Sequence, residues 1–301
     1  MNAKRLIPMA GVALVALLAS SCSGGSSEAG ATQQSPTPTA DPGAVSTSTP
    51  FPLGLDPANF TDPVNVDNAW WPMKPGTRWI LEGEALDGDE RIERRVITTI
   101  TDLTKQIGGI DFIVGYELDY NDDVLAESEL FFAAEDDEGN IWHMGEYAEL
   151  WDEGQLDGGQ AWIPGYLEGA KPGIRLPADP AAEGPAYAQG FAPPPFYWDD
   201  RGQFKEVVEE VCVPAGCYPD VVVIREFEPT IPNVAQLKYW APGVGNIKVG
   251  WEGEDEEQEV LELVEVAQLS SAEMDEVREL ALAMETRASL YGMTSPVQRR
   301  T

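Results

Sequence analysis

The side chains that usually carry hydrolytic or metal chemistry are scarce in this chain. His143 is its only histidine, and Ser128 is the only serine between positions 51 and 269. A Ser–His hydrolase would need these two to meet, and no Gly-x-Ser-x-Gly turn presents a nucleophile. One histidine and a pair of cysteines fall short of a four-ligand zinc site. No glycine-rich loop of the phosphate-cradling kinds is present, so no nucleotide cofactor is expected. Carboxylates are the opposite case. With 52 Asp and Glu, a pair suited to glycoside hydrolysis can always be found, so abundance nominates none. Two acidic runs, 135–140 and 252–257, invite calcium, which prefers clustered oxygen ligands. Neither has the Asp-x-Asp-x-Asn-Gly spacing with a Glu six residues after the Gly. They read as solvated hairpin tips, and no metal or other cofactor is expected. Aromatic rings are the remaining candidates, with all nine Trp between positions 70 and 251. Trp79, Trp142, Trp240 and Trp251 fall in strand candidates and are expected to fill a core. Trp162, Tyr166, Tyr187, Phe191 and Trp198 fall in an irregular stretch and are the expected ligand-stacking or ligand-lining groups.

The N-terminus carries an export signal. Lys4 and Arg5 precede an apolar run over 7–18, and the small residues Ala19-Ser20-Ser21 precede Cys22. The run is shorter than the roughly 20 residues of a spanning helix, so 1–21 is expected to be a cleaved signal peptide. Ala19-Ser20-Ser21-Cys22 resembles the bacterial lipobox, with Ala19 where leucine is usual. That resemblance implies that Cys22 is lipidated, becomes the mature N-terminus and anchors the chain to the outer face of the cell membrane. Positions 23–50 hold no aromatic residue and are rich in Ser, Thr, Gly, Ala, Pro and Gln. Such a segment buries too little apolar surface to offset its ordering entropy, so 22–50 is expected to be a flexible tether about 30 Å long. The formal net charge of −33 repels phosphate backbones and excludes nucleic acid as a partner. With Cys22 committed to lipid, Cys212 and Cys217 remain as a pair in an oxidising compartment. They flank the turn sequence Val213-Pro214-Ala215-Gly216, so a hairpin disulfide contributing about 2 kcal/mol is expected.

The elements that would position these residues are mostly strands. Ile110, Phe112, Val114, Tyr116, Leu118 and Tyr120 alternate with Asp111, Ile113, Gly115, Glu117 and Asp119, the period-2 pattern of a strand. Further strands are expected at 78–84, 91–101, 124–132, 140–144, 204–213, 220–227, 236–240, 246–251 and 258–267. Short Gly- and Asp-rich links with no helices between them imply an antiparallel sheet. Positions 161–198 interrupt the rhythm with eight Pro and five Gly, yet keep seven aromatic residues. A long irregular segment with that content reads as a functional loop or a cover. Ser270-Ser271-Ala272-Glu273 fits a capping box. Met274, Val277, Ala281, Met284, Ala288 and Tyr291 then mark one face of an amphipathic helix that stops near Gly292.

Five segments together resemble a family of uncharacterised secreted bacterial lipoproteins. They are Lys74-Pro75-Gly76-Thr77-Arg78-Trp79, Glu138-Gly139-Asn140-Ile141-Trp142-His143-Met144-Gly145-Glu146, Gly169-Ala170-Lys171-Pro172-Gly173-Ile174-Arg175-Leu176-Pro177-Ala178, Val213-Pro214-Ala215-Gly216 and Lys238-Tyr239-Trp240-Ala241-Pro242-Gly243-Val244-Gly245. The resemblance spans roughly 70–266 and implies a β-sheet protein of the envelope. It implies no catalytic residue.

The sequence therefore predicts a mainly β protein: a curved antiparallel sheet or partly open barrel over 51–269, crossed by the segment at 161–198. A C-terminal amphipathic helix and tail over 270–301 flank it. The expected role is non-catalytic, holding an apolar lipid or glycan ligand in the concavity of the sheet. The alternatives are an envelope polysaccharide enzyme using two carboxylates, or a purely structural surface protein.

Overall fold

The computed structural model describes residues 54–194, 196–288 and 294–300. The export signal, Cys22 and the tether lie outside them.

Tight reversals set the topology. Gly108 and Gly109 have φ of 60° and 85°, Asp122 and Asp123 of 49° and 63°, and Glu153 and Gly154 of 47° and 78°. Two successive positive φ values make the hairpin turn whose twist matches that of the flanking strands. These turns join Glu90–Ile107 (β2) to Ile110–Asn121 (β3), β3 to Val124–Glu135 (β4), and Ile141–Asp152 (β5) to Gln155–Trp162 (β6). Thr77–Asp87 (β1) precedes them. Lys171–Leu176 (β7), Tyr187–Ala188 (β8) and Gly190–Phe191 (β9) follow. The chain continues through Arg201–Val213 (β10), Gly216–Phe227 (β11), Val234–Ala241 (β12), Gly245–Gly253 (β13) and Val260–Gln268 (β14). A helix, Ser271–Arg287 (α1), and a short strand, Gln298–Arg299 (β15), complete it.

All the strand pairings are antiparallel, and the path runs β8-β10-β11-β12-β13-β14-β1-β2-β3-β4-β5-β7-β9. The sheet is curved and not closed. Its two outermost strands, β8 and β9, are separated in sequence by Gln189 alone. The Pro/Gly-rich segment thus crosses the seam, pairing with β10 through Tyr187 and Ala188 and with β7 through Gly190 and Phe191.

The curvature gives the sheet two differently filled faces. On the convex side Phe112, Val114, Leu130 and Phe132 pack with Ala281, Met284 and Ala288 at the helical end of the chain. The helix starts in a capping box, Ser270 with Glu273, and is clamped by Arg278, whose two donors reach Asp102 at 2.7 Å each. On the concave side Trp71, Trp79, Ile113, Phe131, Val222, Ile224, Trp240 and Leu261 belong to one core. The β10–β11 hairpin carries the Cys212–Cys217 disulfide at its tip. That tip docks on β14 through Ala215 N–H to the Leu263 carbonyl, 3.0 Å, with Val213 buried in the concave core.

Strand β5 changes neighbours midway: its first residues pair with β7 and those from Glu146 onward with β6. The change falls at Gly145, φ 93°, where a Cβ would stand 2.1 Å from the Trp162 carbonyl oxygen. Gly145→Ala is expected to cost more than about 2 kcal/mol, through both the left-handed backbone and the clash. Urea unfolding measures this, and an unchanged midpoint would contradict it.

Candidate functional site

The concave face of β3 and β4 carries charge where a sheet interior normally carries none. Ile113, Gly115, Glu117 and Asp119 alternate with the residues that meet the helix, so they point into the concavity. Register places Glu117 directly opposite Glu129 and Asp119 directly opposite Glu127. Like charges in facing positions are destabilising on an ordinary sheet, and burial makes that worse. Each pair has a cation nearby. Arg94 of β2, 3% exposed, lies 3.9 Å from Asp119 and 3.7 Å from Glu259. Arg175 of β7 faces Glu226, Glu117, Glu129 and Glu146.

Arg175 is the centre of the site. Among the described residues its guanidinium has no carboxylate within 4.0 Å and donates no side-chain hydrogen bond. It lies deep in the fold yet keeps accessible surface, because it borders open space on two sides. One cavity, about 90 Å³, is walled by Trp71, Trp79, Trp240, Glu117, Glu226 and Lys238 beside Arg175. A second, about 20 Å³, lies between Arg175, Glu117, Glu129, His143, Met73 and Phe131. Glu117 accepts a short hydrogen bond from the Thr98 hydroxyl, and Glu226 accepts one from Gln189 Nε2 at 2.7 Å. Gln189, the residue on the seam, thereby ties the closure of the sheet to the charge cluster. Trp79 Nε1 donates to the Val244 carbonyl at 2.6 Å. Trp240 Nε1, in a residue 3% exposed, has no partner among the described residues.

Burial shifts the acids towards their neutral forms. It raises Glu146 to about 7, against the opposing pull of the Trp162 indole and Arg175. Burial raises Asp200 to about 7 as well, aided by the Glu226 charge. Glu129 rises well above the usual carboxylate range through burial and the charges of Glu146 and Glu117. Asp119 behaves likewise beside Glu117, only partly offset by Arg94. His143 is lowered to about 3, by burial first and by Arg175 second. It is therefore neutral, and its 3.7 Å approach to Glu146 is not an ion pair.

The five expected ligand-lining aromatics occupy different places. Trp162 and Trp198, 2% and 3% exposed, lie 5.0 Å apart, each edge-on to His143 at 5.3 and 5.4 Å. They stand behind His143, one ring removed from the smaller cavity. Tyr187 lies flat on Gly202, where a Cβ would meet its ring at 2.3 Å. Phe191 is half-buried in β9, opposite Lys171. Tyr166 borders a groove of about 590 Å³ on the outer side, with Tyr147, Gln160, Phe196 and Arg287. Trp79 and Trp240, expected as filler, wall the larger cavity. The first acidic run organises a loop: Asp136 accepts from Glu138 N–H, Asn140 and the Trp142 indole, and Asp137 from Thr61. In the second run, Glu252 pairs with Lys205 and Arg225.

Fold and site together define an open antiparallel β half-barrel whose concave face is a charged, tryptophan-walled cavity. No protein-family model matches the chain, and no curated protein matches it. Two solved structures overlap it weakly. One, from Bacteroides fragilis, is named as an exported protein with a YmcC-like fold; it is 12% identical over 66% of this chain and 98% of that one, TM-score 0.36. The other, from Parabacteroides distasonis, is named as a lipoprotein and is 10% identical over 67% of this chain and 100% of that one, TM-score 0.37.

The raised acids make stability depend on pH in a definite direction. Glu146, Asp200 and Glu257 reach about 7 in the fold, against ordinary values of 4.5, 3.8 and 4.5. Between those limits the folded protein holds protons that the unfolded chain releases. His143, lowered to about 3 from an ordinary 6.5, works the other way below pH 6.5. Three acids outweigh one histidine, so stability falls as pH rises through the window and levels off above it. Asp102 and Glu252 are lowered despite burial, chiefly by hydrogen bonds to Arg278 and Lys205. They act below about pH 4, outside the window. Thermal unfolding should therefore occur at a higher temperature near pH 5 than near pH 8, and the reverse order would contradict the assignment.

Proposed function

We propose that this chain is an exported, lipid-anchored binding protein that takes a small polar ligand into the concavity of its sheet. One observation carries the reading: Arg175 lies deep among carboxylates, borders a cavity and has no hydrogen-bonded or ion-paired side-chain partner among the described residues. A guanidinium balanced by carboxylates but hydrogen-bonded to none of them keeps its donors free for a ligand, and a cluster of perturbed acids in a concave site is a candidate functional site. The Trp walls and the unsatisfied Trp240 indole point into the same role. At about 90 Å³ the space has room for several waters. It is far below the 300 Å³ or more of pockets that enclose drug-sized ligands, which favours a compact polar molecule over an acyl chain.

The polysaccharide-enzyme reading draws on one specific feature, the opposed Glu117 and Glu129. The space beside that pair is about 20 Å³, enough for one water and too little for a sugar ring between them. Binding is the better-supported use. Native mass spectrometry of the full mature protein, released from membranes in mild detergent, tests it. The wild type should carry a small non-covalent mass that Arg175→Met, checked for folding by circular dichroism, has lost. A bare polypeptide in both, with no mass regained on exposure to cell extract, would overturn the reading.

A further inference from the structure

We infer that the ligand is a neutral polyhydroxyl compound, a sugar edge or small sugar alcohol; this rests on the binding reading of the Arg175 cavity. Charge narrows the choice first. The larger cavity is bordered by two cations, Arg175 and Lys238, and two anions, Glu117 and Glu226. A monoanion placed there would meet Arg175 but also the carboxylates that surround it. A monocation would meet Glu117 and Glu226 but also Arg175 and Lys238. Neither gains a net field that offsets its own loss of hydration.

Hydrogen-bonding capacity then selects the functional group. Arg175 offers five N–H donors and Trp240 one, and the Trp240 indole is buried without an acceptor. Glu117 and Glu226 each accept one bond from the protein, from Thr98 and Gln189, and have lone pairs left over for donors. A bound molecule must therefore accept on one side and donate on the other within a few ångströms. A hydroxyl does both without charge. Adjacent hydroxyls on a short carbon chain or ring edge would meet both sets of groups at once. The rings of Trp71, Trp79 and Trp240 line the cavity and supply apolar wall for the C–H side of such a molecule. Trp71 and Trp240 are 5.2 Å apart at 52°, and Trp71 and Trp79 are 6.2 Å apart at 72°. They form a bent wall suited to a compact molecule with an apolar face. A zwitterion such as an amino acid satisfies the same groups in number, but its ammonium and carboxylate would both have to be dehydrated.

The test is calorimetric and fluorescence titration of the full mature protein, stripped of ligand by dialysis, with glycerol, erythritol, D-glucose, L-alanine, inorganic phosphate and decanoate. Saturable binding of a polyol is expected, with an affinity nearly independent of ionic strength because the ligand is neutral. Arg175→Met should weaken it by at least about tenfold. Trp240→Phe, which removes one donor and leaves the charges in place, should weaken it several-fold and covers the case in which the arginine variant does not fold. Saturable, Arg175-dependent binding of alanine, phosphate or decanoate with silent polyols overturns the ligand class and leaves the binding site standing. Silence from the whole panel, together with a bare mass for the native protein, overturns both.

Discussion

Everything on the concave side of this sheet depends on keeping Arg175 and its ring of carboxylates out of bulk water. At an effective dielectric near 20, two unit charges about 4 Å apart interact by about 4 kcal/mol, so four ionised acids around one arginine would repel one another strongly. The fold relieves this through protonation, with Glu146 and Asp200 raised to about 7 and Glu129 well above the usual range. Hydrogen bonds from Thr98 and Gln189 hold the carboxylates of Glu117 and Glu226. Because Gln189 is also the residue between the two ends of the sheet, the electrostatics and the closure are one device. Apolar packing surrounds the charges on both sides, with one core under the helix and a second on the concave face itself.

Much of the architecture was legible in the sequence. All ten expected strands are present, the disulfide forms at the expected hairpin, and the helix starts at Ser270 with its capping box. Alternation in β3 correctly marked one buried face, through Phe112, Val114 and Tyr116. It did not place the other parity. Glu117 and Asp119 have the pattern of a solvated face, and only curvature, a property of the whole sheet, turns that face inward. Composition could not show this, because 52 acids hide the few that are buried. The Asp122-Asp123 turn sets Asn121 opposite Val124 and Tyr120 opposite Leu125. Only the bulge between Asp119 and Tyr120 shifts the register so that Glu117 meets Glu129 and Asp119 meets Glu127, which no local sequence signal announces.

The segment at 161–198 illustrates the same limit. Its prolines and glycines obscured the strands: β7 carries Pro172 and Gly173 within its six residues, and β8 and β9, two residues each, leave no periodicity to detect. Its aromatic content was read as lining for a ligand, whereas Trp162 and Trp198 form a buried layer with His143. The ionisable residue of the segment that does border the cavity is Arg175, inside the Gly169–Ala178 motif. A basic residue amid Pro and Gly carries no local signature, since its significance comes from strands far away in sequence that bring carboxylates to it.

Arg175 and the surrounding acids must act as one unit if the cavity is charge-balanced, and a double-mutant cycle on Arg175 and Glu226 measures that directly. Near pH 8, Arg175→Met alone should cost about 3 kcal/mol or more, because it strands carboxylates without a counter-charge. Adding Glu226→Gln should recover part of that loss, giving a coupling above about 1 kcal/mol in urea unfolding. Losses that add to within about 0.5 kcal/mol would show that the two side chains are independent, and the charge-balanced cavity would have to be abandoned.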